Sequence, residues 1–146
     1  MNIEISNQSG ITCDEDSILD LADFALTEMG IHHESELNIR IVDEDVMTDL
    51  HVEWMGLPGP TDVLSFPMDE LKPDSASKGP GVVGDIVLCP EFAKKSTQLK
   101  TLADELHLLT VHGVLHLLGF DHAELTEEKA MFSLQEKILT KWRANS

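Results

Sequence analysis

One stretch of this chain restricts the whole fold: Val111-His112-Gly113-Val114-Leu115-His116-Leu117-Leu118-Gly119-Phe120-Asp121-His122. Its flanks are so apolar that a helix here must be buried on most sides and lie near the centre of the domain. His112 and His116 are four residues apart. That is about one helical turn, so both imidazoles leave the same face roughly 6 Å apart along the axis. Buried imidazoles need partners, and two on one turn need them together. A metal ion satisfies both. Gly119 accepts the left-handed conformation that ends a helix at little cost, so the chain can reverse and return His122 to the same ion. Three neutral nitrogen ligands with one open position describe a catalytic zinc site rather than a closed structural one.

The chain has 146 residues, enough for one domain, 1–146, with its own core. Cys13 and Cys89 are its two cysteines; they suit a reducing compartment and imply no disulfide framework. The N-terminus, MNIEISNQSG, has neither a basic region nor an apolar one, so no secretory signal is expected. No apolar stretch approaches the ~18 residues of a membrane span. A cytoplasmic protein is expected. The net charge of −17 argues against nucleic-acid binding by bulk charge, though it leaves room for a local basic groove. The cations include a short cluster, Lys94, Lys95 and Lys100, with Lys72 and Lys78 in a loop.

Alternation predicts strands over Asn2–Ser6, Leu37–Val42, Asp62–Phe66 and Val82–Leu88. In the second, Leu37, Ile39 and Ile41 oppose Asn38, Arg40 and Val42. A capping box at Thr12 opens a helix closed by Gly30, and Asp43 caps a short one. Glu91–Gln98 reads as helix, Thr101 caps the histidine helix, and Thr126 caps a last amphipathic one. Met68–Gly81 is polar and rich in Pro, Gly and Ser, a loop long enough to be functional or mobile. The expected class is an α+β layered fold, with about four strands in a mixed sheet, about five helices packed on it, and the histidine helix central.

His107 is five residues before His112, about 140° away around the helix, and off the metal face. His32, His33 and His51 lack ligand spacing and read as surface or supporting groups. Zinc peptidases of the H-E-x-x-H type carry their general base after the first histidine. That position is Gly113 here, which disfavours a peptidase. Asp121, beside the third histidine, and Asp85, in Gly84-Asp85-Ile86, are the candidate catalytic carboxylates. Asp85, on an otherwise apolar strand, could accept an N–H from a ligand imidazole.

The eleven residues His112–His122 match H-G-x-L-H-L-x-G-[YF]-D-H, and two further blocks accompany them in order: Pro60-Thr61-Asp62-Val63-Leu64-Ser65-Phe66-Pro67 and Gly84-Asp85-Ile86. In these blocks the sequence resembles the bacterial YbeY family of rRNA-maturation endoribonucleases, over nearly the whole chain from the second strand onward. The resemblance implies a single-strand-specific, metal-dependent endoribonuclease that matures the 3′ end of 16S rRNA and acts in 70S ribosome quality control. It implies rRNA and the ribosome or its small subunit as partners, and zinc on His112, His116 and His122. Many members carry an arginine, suited to phosphate, before the P-T-D-V-L-S-F-P block. Here the corresponding pair is Trp54-Met55, with Met55 in the arginine's place.

In the enzyme reading a zinc ion polarises a phosphoryl oxygen and supports either a water or the RNA 2′-OH as nucleophile. A second reading is a ribosome-assembly binding factor whose metal is mainly structural. A third is a zinc hydrolase of another substrate class.

Overall fold

In a computed structural model the chain is described over residues 1–96, 101–121 and 123–145. The elements run β1 (Asn2–Asn7), α1 (Glu15–Glu28), β2 (Glu36–Ile41), α2 (Glu44–Met55), β3 (Val63–Pro67), a 3-10 turn (Ala76–Lys78), β4 (Val82–Leu88), α3 (Pro90–Ser96), α4 (Leu102–Leu117) and α5 (Leu125–Ala144). The sheet order is β1-β2-β4-β3. The β1/β2 and β2/β4 pairs are parallel and β3/β4 is antiparallel, so the expected mixed four-stranded sheet with five helices is present.

Strand alternation divides the core in two. On one face, Ile39, Ile41, Ile86 and Leu88 pack with α1, α4 and α5. On the other, α2 and α3 cover Leu64, Val87 and Cys89, joined by Val42 and Met47. Val42, just past β2, lies in this smaller cluster, on the face opposite Leu37, Ile39 and Ile41 as its alternation suggested. α4 touches α1, α3, α5, β3 and β4, and buries Leu106, Leu109, Val111, Val114, Leu115 and Leu117. Each such leucine contributes on the order of 2 kcal/mol by leaving water. The histidine helix is central, as its composition requires.

The helix caps differ from expectation at two places. Asp14 caps α1 in place of Thr12, its carboxylate accepting from the Ser17 N–H at 3.2 Å. Thr126 lies inside α5, whose cap position is Glu124, without a side-chain hydrogen bond. Asp43 and Thr101 cap α2 and α4 as read, accepting from Val46 and Asp104. The predicted Glu91–Gln98 helix is present as α3 up to Ser96, and its last two residues, Thr97 and Gln98, lie outside the described ones. The 68–81 loop is tied down: Asp69 accepts from the Val82 N–H at 2.7 Å, and the Asp74 N–H donates to Met29 at 2.8 Å. No helix among the described residues is long and apolar enough to cross a membrane.

Gly84 sits in β4 at φ 140°, where a Cβ would run into the Phe66 carbonyl across the antiparallel pair. Gly84→Ala should therefore destabilise the fold by roughly 3 kcal/mol, a large value for a single methyl. Urea unfolding would check it, and a variant within about 0.5 kcal/mol of the parent would contradict the packing described.

His107 fills the α1/α4/α5 junction. Its Nε2 is 2.9 Å from Ser17 Oγ, and its ring meets Trp142 edge-on at 4.9 Å. Burial, and secondarily the Arg143 charge, hold this imidazole below its ordinary pKa of about 6.5. The neutral form is favoured in the fold, so the stability it gives is full above the unfolded value and is lost as pH falls through the lowered one. Unfolding midpoints of the parent and His107→Gln should converge between pH 7.5 and 5; parallel curves would remove His107 from the acid response.

Candidate metal centre

The histidine pair is set by the last turns of α4. The His112 and His116 rings meet edge-on, centroids 4.7 Å apart, as one-turn spacing demands. They share a cleft of about 460 Å³ with Asp121, Met55, Thr61, Asp62 and Ser65. Gly119, at φ 98°, turns the chain after α4 and leaves Asp121 in this cleft. His122 lies outside the described residues. Among the described residues no group of three potential ligands converges, so the pair and Asp121 are what the structure places.

A contact that the sequence reading missed fixes His112. Its Nδ1 is 3.0 Å from Oε1 of Gln135, a residue 6% exposed on α5. With Nδ1–H donating to the amide oxygen, the lone pair of the neutral ring resides on Nε2, as a metal ligand requires. The signal was present: Met131, Gln135, Ile138, Leu139 and Trp142 form the buried stripe of α5, and glutamine is its one amide.

Gly113 has a steric reason. A Cβ there would lie 3.1 Å from Ile86 Cδ1 and Cγ2, so α4 rests directly on β4. The Ser65 hydroxyl reaches the Gly113 carbonyl at 3.4 Å. A glutamate at this position would meet the sheet rather than the cleft.

Asp85 is not beside the histidines. It neighbours Ile86 in β4, and alternation sends it to the opposite face of the sheet, where it lines a different cleft with Asn38, Arg40 and Trp54. The expectation that it accepts from a ligand imidazole is corrected: Gln135 takes that place on His112. His107 points away from the cleft, as its spacing predicted. His32 and His33 stack on one another at 4.6 Å. His51 Nδ1–H donates to the Gly59 carbonyl at 2.9 Å and so steadies the loop that delivers Thr61 and Asp62.

A sequence model of the family Endoribonuclease YbeY matches residues 3–143. The chain belongs to the Endoribonuclease YbeY family. Among its relatives, an endoribonuclease YbeY of Saccharopolyspora erythraea is 57% identical over 99% of this chain and 82% of the relative. One of Nocardia farcinica is 55% identical over 97% of this chain and 80% of the relative. The solution structure of a Thermotoga maritima protein superposes with a TM-score of 0.57 at 30% identity, covering 98% of this chain and 93% of that one. The three sequence blocks that carried the resemblance meet in space: Thr61, Asp62 and Ser65 of the first line the cleft with His112, His116 and Asp121 of the last, and Ile86 of the middle one supports Gly113.

Replacing Gln135 by Met keeps the volume of the stripe and removes the acceptor. Nitrogen NMR should show neutral His112 protonated on Nδ1 in the parent and a mixture of tautomers in Gln135→Met. An unchanged tautomer would mean that another group orients the ring.

Proposed function

We propose that this chain is a zinc-dependent, single-strand-specific endoribonuclease, acting in the cytoplasm on the 3′ end of 16S rRNA and in 70S ribosome quality control. The observation that carries this reading is the His112/His116 pair, oriented through Gln135 and facing an open cleft that also holds Asp121. His112 and His116, joined by His122, would hold the ion. Imidazole nitrogens of this kind suit zinc, and a cleft open to solvent suits a catalytic rather than a closed site. Bound there, zinc supplies Lewis acidity toward a phosphoryl oxygen. Asp121, in the same cleft, would accept the proton from the attacking water or RNA 2′-OH. Family membership supplies the reaction class, hydrolysis of RNA within the chain.

A second reading has its own support. Met55 stands in the cleft, 56% exposed, at the position where the sequence resemblance led us to expect an arginine, and the net charge is −17. These favour a ribosome-assembly factor whose metal serves the fold.

Cleavage of a pre-16S 3′ fragment separates the two. Zinc-loaded protein should cut it, and chelation should abolish cutting until zinc is restored. His116→Ala, shown to be folded, should bind ribosomal particles but lose at least about a hundredfold in cleavage. Elemental analysis should find about one zinc per chain in the parent and much less in the variant. If the parent cuts nothing while His116→Ala loses melting temperature and ribosome binding together, the assembly reading replaces the enzyme. A 2′,3′-cyclic phosphate product would assign attack to the RNA 2′-OH; a 5′-phosphate with a free 3′-hydroxyl would assign it to water.

A further inference from the structure

The cleft that receives Asp85 has a volume of about 660 Å³ and lies on the sheet face away from the histidines. Strand register sets Asn38, Asp85 and Phe66 side by side across β2, β4 and β3. Arg40 follows on β2, and α2 adds Leu50 and Trp54 as a wall. Trp54 meets Phe66 edge-on at 6.0 Å and is 62% exposed, so much of its indole is open to a stacking partner.

The polar groups of this cleft have little to do within the chain. Arg40 makes one long contact, 3.5 Å to Gln8 Oε1, and no ion pair among the described residues. The Asp85 carboxylate has no hydrogen-bond partner among them. An apolar cleft with a few convergent polar groups is the ordinary form of a ligand site.

The set selects among ligands. A carboxylate between an amide and an aromatic wall matches guanine, whose N1–H and N2–H donate side by side to two oxygens. Adenine and cytosine present one amino group beside a ring acceptor, which repels the second oxygen; uracil presents one N–H between two carbonyls. Stacking on Trp54 tolerates any base, and Arg40 suits the phosphate. We propose that this cleft binds a guanine nucleotide of single-stranded RNA, with Asp85 reading the base. The two clefts are neighbours. Val63 and Ser65 of β3 line the histidine side and Phe66 the other, while Met55 and Trp54 part in the same way at the end of α2. β3 is an edge strand, so an RNA can pass round its free side from one cleft to the next.

The proposal takes its polymer from the endoribonuclease reading, so the test uses uncut ligands and no cleavage. The protein is titrated with 5′-GMP, AMP, CMP and UMP and with a guanine-containing tetranucleotide, followed by Trp fluorescence and amide NMR. GMP should shift the amides of Asn38, Asp85 and Phe66 and bind roughly tenfold more tightly than the others. Asp85→Asn, with an unchanged melting temperature, should lose that preference, whereas Trp54→Ala should weaken all four. The tetranucleotide should bind more tightly than GMP; the reverse would mark a free nucleotide and overturn the RNA assignment. Equal affinity for the four nucleotides, no saturable binding, or wild-type preference in Asp85→Asn would overturn the site. His116→Ala should bind GMP as the parent does, so failure of the cleavage reading and failure of this one are told apart.

Discussion

The structure depends on how closely α4 approaches β4. A helix that carries two histidines on one turn can sit against a sheet only if the face between them is flat, and Gly113 makes it so by bringing the helix onto Ile86. That contact sets the depth of His112 and His116 in their cleft. α5 then closes the other side of His112 through Gln135, whose amide oxygen faces the ring Nδ1. Packing and chemistry share these residues: what seats α4 also aims the imidazoles.

Much of this was legible because it is local. The one-turn histidine spacing, the glycine reversal at Gly119, the caps at Asp43 and Thr101, and the four alternating strands all arise from short-range geometry. The departures were equally physical. Thr12 and Asp14 are both good caps, and the chain chose the one whose carboxylate reaches the Ser17 N–H. Gln135 was hidden because a single amide in an apolar stripe has no meaning until its partner, 23 positions away in sequence, is known.

Asp85 shows a different limit. Its block, Gly84-Asp85-Ile86, was one of the three that carried the sequence resemblance together with the histidine block, which invites the inference that both serve one site. The pleat separates them. Ile86 supports the histidine helix, Asp85 faces the other way, and Gly84 lets the edge pair close against Phe66. Three adjacent residues thus act on backbone, cleft and core, and the period of the strand assigns each.

The charge of the chain bears on how it could hold RNA. Lys95, Lys141 and Arg143 are each engaged with a carboxylate, on Glu44, Glu28 and Asp104. Arg40 lies within a cleft without such a partner among the described residues, and the cleft beside the histidines is lined by Met55. With a net charge of −17, the release of counterions supplies little affinity outside a local basic groove. Binding in the proposed reading must therefore come from stacking, from base edges and from the metal, interactions that act at short range and select unpaired nucleotides. On that proposal a preference for single strands would follow from the same economy of positive charge that first counted against a nuclease: a duplex offers phosphates but hides the base faces and edges that Trp54 and Asp85 would use.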